Sequence, residues 1–216
     1  LESIDFARPR PPSAQEVGAV ARRIGASVGA DGRERIAALI ARTVASVPAR
    51  RLAMAHRPRR EHPFAFSLDP GEPLITGVLD LIVEQPDGSS LIVDYKSDRL
   101  AGSEDLERLV RRDYSIQRLL YALAAIEDGV EQVEVAHWFL ERPDVWVVAR
   151  FTSSERHHLR GLLLSRVEDA RANGFTVTER PHRGICFTCP GRGSLCSWGE
   201  ERTMAEDPHG GNPHHQ

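Results

Sequence analysis

The chain has 216 residues, 41% hydrophobic and 27% charged, which suits one globular domain with a sizeable core and excludes a disordered or fibrous class. A formal net charge of −3 excludes a uniform polycation that coats nucleic acid indiscriminately. No apolar run reaches the roughly 18 residues of a membrane helix, and no secretory leader opens the chain, so a cytoplasmic protein is expected.

The start at Leu1 instead of Met reads as a fragment of something longer. Of the 28 cations, 27 are arginine and Lys96 is the only lysine. Residues 1–60 carry 12 Arg against 5 acids, and residues 61–216 carry 16 cations against 26 acids. A basic amino-terminal third is able to meet phosphates, and an acidic remainder to hold metal. Abundant arginine on solvated faces gives the same totals.

Pro9, Pro11 and Pro12 mark an irregular lead-in. Helices are expected near residues 13–26 and 32–46, the second with Ile36, Leu39, Ile40 and Val44 as its apolar stripe and Pro48 as its end. Residues 60–67 read as extended, and Pro63 confines that strand to an edge or a start. Leu74–Glu84 and Leu91–Lys96 form strands joined by the turn Pro86-Asp87-Gly88, a β-hairpin. Helices follow at 103–112 and 114–127, with Ile116, Leu119, Leu120, Leu123 and Ala124 as the buried stripe of the latter. Val133–Glu141 and Val145–Phe151 read as a second strand pair around Arg142-Pro143-Asp144. Ser153 or Ser154 is expected to cap a long helix that runs to about Asn173 and stops at Gly174. The tail after Arg202 is polar and expected to be mobile. The order ααβββαβ(β)α is an α/β class, and without a phosphate loop no ATPase motor lies in the chain.

Alternation along a strand puts Asp94 and Lys96 on one face, and the hairpin register brings Asp80 opposite 94–95. Val78, Leu79, Leu81, Ile92 and Val93 make those surroundings apolar, so unpartnered charges there would cost several kcal/mol each, roughly. A divalent cation on the two carboxylates removes that cost, and Mg²⁺ or Mn²⁺ bound by such oxygens suits phosphodiester hydrolysis. Lysine is the tunable cation for the remaining role, which arginine fills poorly. A buried Asp–Lys pair that merely stabilises the hairpin is the other reading of the same residues.

Gly77-Val78-Leu79-Asp80 followed by Asp94-Tyr95-Lys96-Ser97 resembles the RecB-like branch of the PD-(D/E)XK nucleases. Gln117 and Tyr121 look like that branch's Q-x-x-x-Y motif, and Arg60-Glu61-His62-Pro63-Phe64 is similar to its E-x-P-F strand. The resemblance implies a restriction-endonuclease-like core, a mixed central sheet flanked by helices. It implies metal ligation by Asp80, Asp94 and the Tyr95 carbonyl, more weakly by Glu61, and catalysis by Lys96 supported by Gln117 and Tyr121. One departure is that the expected helix at 32–46 has no histidine for the metal site. Arg33, Glu34 or Arg35 stands near the expected place, and His56 and His62 are the nearest histidines.

Cys186, Cys189 and Cys196 form C-x2-C-x6-C, with Pro190, Gly191 and Gly193 permitting a turn around one metal. A similar trio in AddB-like relatives joins an upstream cysteine to hold an iron–sulfur cluster. No cysteine precedes 186 here, so the options are an iron–sulfur cluster with its fourth ligand elsewhere, a zinc site with His182, or a remnant that binds nothing.

The segments expected are 1–56 basic and helical, 57–180 nuclease core, 181–202 cysteine-containing, and 203–216 tail. The function implied is a Mg²⁺- or Mn²⁺-dependent deoxyribonuclease domain of a helicase-nuclease, acting on single strands or duplex ends in double-strand break repair. Its implied partners are DNA, the parent chain's motor and a second helicase-nuclease subunit. A stand-alone CRISPR-associated exonuclease and an inactive DNA-binding fold are the alternatives.

Overall fold

Turn chemistry at Pro86-Asp87-Gly88 closes the expected hairpin. Gly88 takes φ +84°, a conformation that a side chain would strain, and Asp87 Oδ1 accepts the Ser89 amide at 3.0 Å. The computed structural model describes residues 4–97, 100, 102–172, 177–187, 189 and 191–205. Strands β2 (Leu74–Glu84) and β3 (Ser90–Lys96) pair antiparallel, with Leu81 opposite Val93. β1 (His56–Ser67) lies on the edge beside β2, where Pro63 costs no ladder bond to a further strand. It starts four residues before the expected point, with a register irregularity between His56 and Arg59.

β4 (Gln132–Phe139) joins β3 in parallel and β5 (Val147–Thr152) returns antiparallel, giving a mixed sheet in the order β1-β2-β3-β4-β5. The parallel step needs a crossover, which α4 (Leu106–Asp113) and α5 (Ser115–Glu127) supply. β4 ends at Phe139, short of Glu141, because the chain turns back there and Trp138 Nε1 donates to the Pro143 carbonyl at 2.8 Å.

α1 (Ala14–Arg23) opens with a reciprocal capping box between Ser13 and Glu16. α2 (Ala30–Ala45) is followed at once by α3 (Val47–Ala53). Pro48 therefore ends nothing: it sits in the first turn of α3, where its missing N–H is harmless, and Ser46 Oγ accepts from Ala49 N at 3.3 Å. The stripe on α2 is narrower than expected, with Val44 buried, Leu39 and Ile40 half-buried and Ile36 exposed. Ile116 likewise lies outside the core at 47% exposure, whereas every residue from Tyr121 to Ile126 is buried. That half of α5 is covered by the sheet and by Leu159 and Leu163 of α6 (Arg156–Ala172). Thr152, not Ser153 or Ser154, caps the single 3₁₀ turn Ser153–Glu155 that leads into α6. The expected stop at Gly174 and the tail from 206 lie outside the described residues. Two four-residue helices, α7 (Arg183–Cys186) and α8 (Glu200–Thr203), complete the set among the described residues.

Leu79, Ile82, Ile92, Val133 and Val135 pack toward α5 and α6. Leu81, Val83, Leu91, Val93, Ala136 and Trp138 pack on the other side of the sheet against Ile4, Phe6, Val44, Ala49 and Leu52. Leu79 and Leu81, two apart, thus enter different cores, so the in–out alternation of β2 slips at Asp80. The paired strand slips at the matching place, where Glu61 has φ +45°. Such a defect re-aims one side chain without breaking the sheet.

Candidate active site

The slip at Asp80 frees its carboxylate from either core. Asp80 Oδ2 turns toward β3 and accepts the Tyr95 amide at 2.9 Å, just past the last regular pair of the hairpin. Asp94 and Lys96, two apart on β3, share the face beneath α5. Lys96 Nζ lies 2.7 Å from Asp94 Oδ2 as an ion-pair contact and donates to Gln117 Oε1 at 2.8 Å. Gln117 Nε2 donates to the Tyr121 hydroxyl at 2.9 Å, and that hydroxyl donates to Asp94 Oδ1 at 3.4 Å. The one-turn spacing on α5 and the two-residue spacing on β3 therefore close a ring: Asp94, Lys96, Gln117, Tyr121.

Asp94 is 3% exposed. Burial pushes its carboxyl up to about 6, against the pull of Lys96 and with the Asp80 charge adding to the rise. Among the described residues Oδ2 makes no directed hydrogen bond, although Lys96 touches it. Burial, then the Asp94 and Asp80 charges, also raise the Tyr121 hydroxyl, which stays protonated and a donor. Two carboxylates, the charge of Asp80 adding to the proton affinity of Asp94, with a carbonyl at Tyr95 next to Asp94 in sequence, are hard oxygen donors suited to a divalent cation. A Mg²⁺-type ion takes one or two carboxylates and fills its remaining positions with water and substrate phosphate. Among the described residues no three of His, Cys, Asp and Glu gather closely enough to share a metal.

Glu61, on the exposed edge of β1, is accordingly not drawn into the carboxylate pair. α2 carries no histidine. His56 pairs with Glu84 at the opposite end of β2, and His62 Nε2 meets Arg59 Nη1 at 3.1 Å. Among the described residues, the cysteines do not gather with one another or with His, Asp or Glu closely enough to share a metal. α7 buries Cys186, while the turn after it leaves Cys189 exposed and Cys196 half-buried. His182, the suggested fourth ligand, caps α7 with its backbone and is buried. The apolar groove of about 540 Å³ between α1 and α2, lined by Val17, Val20, Ile24, Ile36 and Ile40, contains none of these groups.

Three residues near the ring carried no weight in the sequence. Tyr114, which ends α4 and begins α5, places its ring face 3.9 Å from Lys96 Nζ. His137 on β4 stands opposite Asp94 in the parallel register and is fully buried, both ring nitrogens without a hydrogen bond among the described residues. Burial, with the charges of Arg118 and Lys96 adding to it, pushes His137 down to about 3, so its ring is neutral. Arg118 is half-buried, its Nε and Nη2 without acceptors among the described residues. Only Tyr114 had a sequence signal, an aromatic three residues before Gln117 on the same helix face.

A mixed sheet flanked by helices, with paired carboxylates and a lysine on adjacent strands, is the arrangement of a restriction-endonuclease-like nuclease fold. Residues 6–196 match the family model of the PD-(D/E)XK nuclease superfamily, and the chain belongs to that superfamily. It is 37% identical over 84 residues to an ATP-dependent helicase/nuclease subunit of Desulfitobacterium hafniense, equally in strains DSM 10664 / DCB-2 and Y51. That match covers 37% of this chain and 6% of those relatives' length. The crystal structure of SSO0001 aligns over 74% of this chain and 73% of its own, at 12% identity and a TM-score of 0.32, too loose a likeness to build on.

Proposed function

We propose that this chain is a divalent-metal-dependent deoxyribonuclease domain, an exonuclease within a helicase-nuclease that processes double-strand DNA ends for recombinational repair. The observation that carries the reading is Lys96 Nζ held between Asp94 Oδ2 and Gln117 Oε1, within a ring of polar side chains that a purely structural hairpin does not need. Asp80, Asp94 and the Tyr95 carbonyl would hold Mg²⁺ or Mn²⁺, which supplies Lewis acidity toward a phosphoryl oxygen. Lys96 places an ammonium where negative charge grows on the transferring phosphoryl group; only as the neutral amine, having first released a proton to solvent, would it take one from the attacking water. Gln117 fixes the ammonium, and Tyr121 fixes Asp94.

Likeness to a helicase/nuclease subunit supports a motor partner, and membership of the nuclease superfamily supports DNA as substrate; DNA ends and a cytoplasmic setting complete the proposal. On this reading residues 1–56 form a basic helical segment, 57–180 the nuclease core, 181–202 a cysteine-containing segment and 203–216 a tail. Iron–sulfur or zinc binding by Cys186, Cys189 and Cys196 has only their spacing in support, and metal content of the purified chain tests it. The deciding assay is cleavage of end-labelled single-stranded and blunt duplex DNA with Mg²⁺ or Mn²⁺, beside EDTA, Asp94→Ala and Lys96→Ala. Metal-dependent cutting that both variants abolish is the expected result. DNA binding without cutting by the unmodified chain would replace this reading with that of a DNA-binding module, which the small ligand set of the site favours.

A further inference from the structure

We infer that Tyr114 is a positioning residue for Lys96: the face of its ring holds the ammonium against Asp94 and Gln117. The inference rests on Lys96 being the catalytic ammonium. Lysine's four-carbon stem is flexible, and its charge acts only when placed to within about half an ångström. Here Nζ has an anionic neighbour at 2.7 Å, an amide oxygen at 2.8 Å and, as a third side, the ring of Tyr114 with its centroid at 3.9 Å. A cation over an aromatic face at that separation is attracted by the ring's negative quadrupole, most strongly where water is excluded. The Lys96 side chain is 12% exposed, so water is largely excluded.

The ring cannot drift from under the charge. Tyr114's amide bonds to the Val110 carbonyl and its own carbonyl accepts the Arg118 amide, both at 3.0 Å, which ties it to two helices at once. Its ring is buried, 5.5 Å from His137 and 6.2 Å from Phe139, in the cluster with Leu106, Leu109 and Val110. Gln117 is one turn further along α5, so the same helix start delivers both the π face and the amide oxygen to Lys96.

Lys96 is the only lysine in the sequence, so labelling the chain with ¹³C-lysine gives one set of side-chain resonances. Its Hε protons are expected upfield of their solvent value because of the ring current. Tyr114→Phe should keep that shift and Tyr114→Leu should lose it. In single-turnover cleavage, Tyr114→Phe should stay within about twofold of the unmodified rate, and Tyr114→Leu should lose roughly tenfold with DNA affinity unchanged. Phenylalanines with increasing fluorine at position 114 keep the ring's shape while draining its negative face. They should lower the rate stepwise at constant affinity. An unshifted Lys96 Hε, or a rate flat across the fluorinated series, would overturn the assignment. Should the unmodified chain not cut, the catalytic reading falls, and the resonance still decides whether Tyr114 holds Lys96.

Discussion

The ring of Phe64 lies across Gly77, its cross-strand partner, so closely that a Cβ at Gly77 would stand 2.4 Å from Phe64 Cζ. The same ring meets Tyr121 edge-on at 6.1 Å and Phe66 at 5.9 Å, so it has little room to swing aside. Tyr121 in turn bonds Asp94. The glycine of the G-x-x-D strand, the aromatic of the E-x-P-F strand and the tyrosine of Q-x-x-x-Y are thus one packed unit.

Gly77→Ala is therefore expected to destabilise the fold by about 1–3 kcal/mol through overpacking. It should also weaken cleavage, although residue 77 makes no contact with the carboxylates. Adding Phe64→Leu should recover part of the stability, because the two changes share one contact. Chemical denaturation of the single and double variants measures the coupling, and simple additivity would contradict the packing account.

Lys96→Arg keeps the positive charge but puts a planar fork where the ammonium fits between Asp94 Oδ2, Gln117 Oε1 and Tyr114. Cleavage should fall by at least about a hundredfold, the usual worth of a well-placed acid–base group. DNA affinity, read by fluorescence anisotropy, should change little. Near-full activity in this variant would remove lysine from the chemistry.

Asp94 carries its charge at a cost. Its folded value, about 6, lies above the ordinary 3.8, so the folded state holds a proton that the unfolded state has already released. Stability therefore falls as pH rises from about 3.8 through about 6, and the deficit persists at neutral pH. Asp94→Asn should raise the metal-free chain's stability at pH 7 by about 2 kcal/mol, with no gain below about pH 4. Added Mg²⁺ should stabilise the unmodified chain and not the variant. Thermal melts with and without EDTA check both halves.

Glu134 behaves in the opposite sense. Arg150 Nε contacts it at 2.6 Å and Arg51 pairs with its other oxygen, and these bonds outweigh burial and hold its carboxyl below the ordinary range. A lowered carboxylate contributes stability above its unfolded value, and that stability is lost as pH falls through the folded value. Glu134→Gln should lower stability at pH 7, and the difference should close in acid. Denaturant midpoints across pH test this, and cleavage should be untouched.

Part of this was legible because the deciding signals are local. Pro86-Asp87-Gly88 fixes the hairpin register, which sets Asp80 beside the end of β3, and strand and helix periods place Asp94 with Lys96 and Gln117 with Tyr121. The rest depended on distant parts of the chain. Strict alternation cannot foresee the slip at Glu61 and Asp80, which shows only when two cores compete for one strand. His137 reaches Asp94 solely through the parallel pairing of β3 with β4. Pro48 reads as a terminator in isolation and becomes a first-turn residue once Ser46 caps a new helix. The lead-in is irregular, as expected, and its Ile4 and Phe6 close the second core, which no local signal announces.

The mixed sheet also divides the site by the order in which it is expected to fold. Asp80 and Asp94 meet across a short hairpin, which closes through local contacts and fast. The lysine's partners Gln117 and Tyr114 arrive only when α4 and α5 have crossed over and β4 has docked along β3, a slower, long-range event. A half-folded chain would hold paired carboxylates without an ordered ammonium, able to collect a cation but not to cleave.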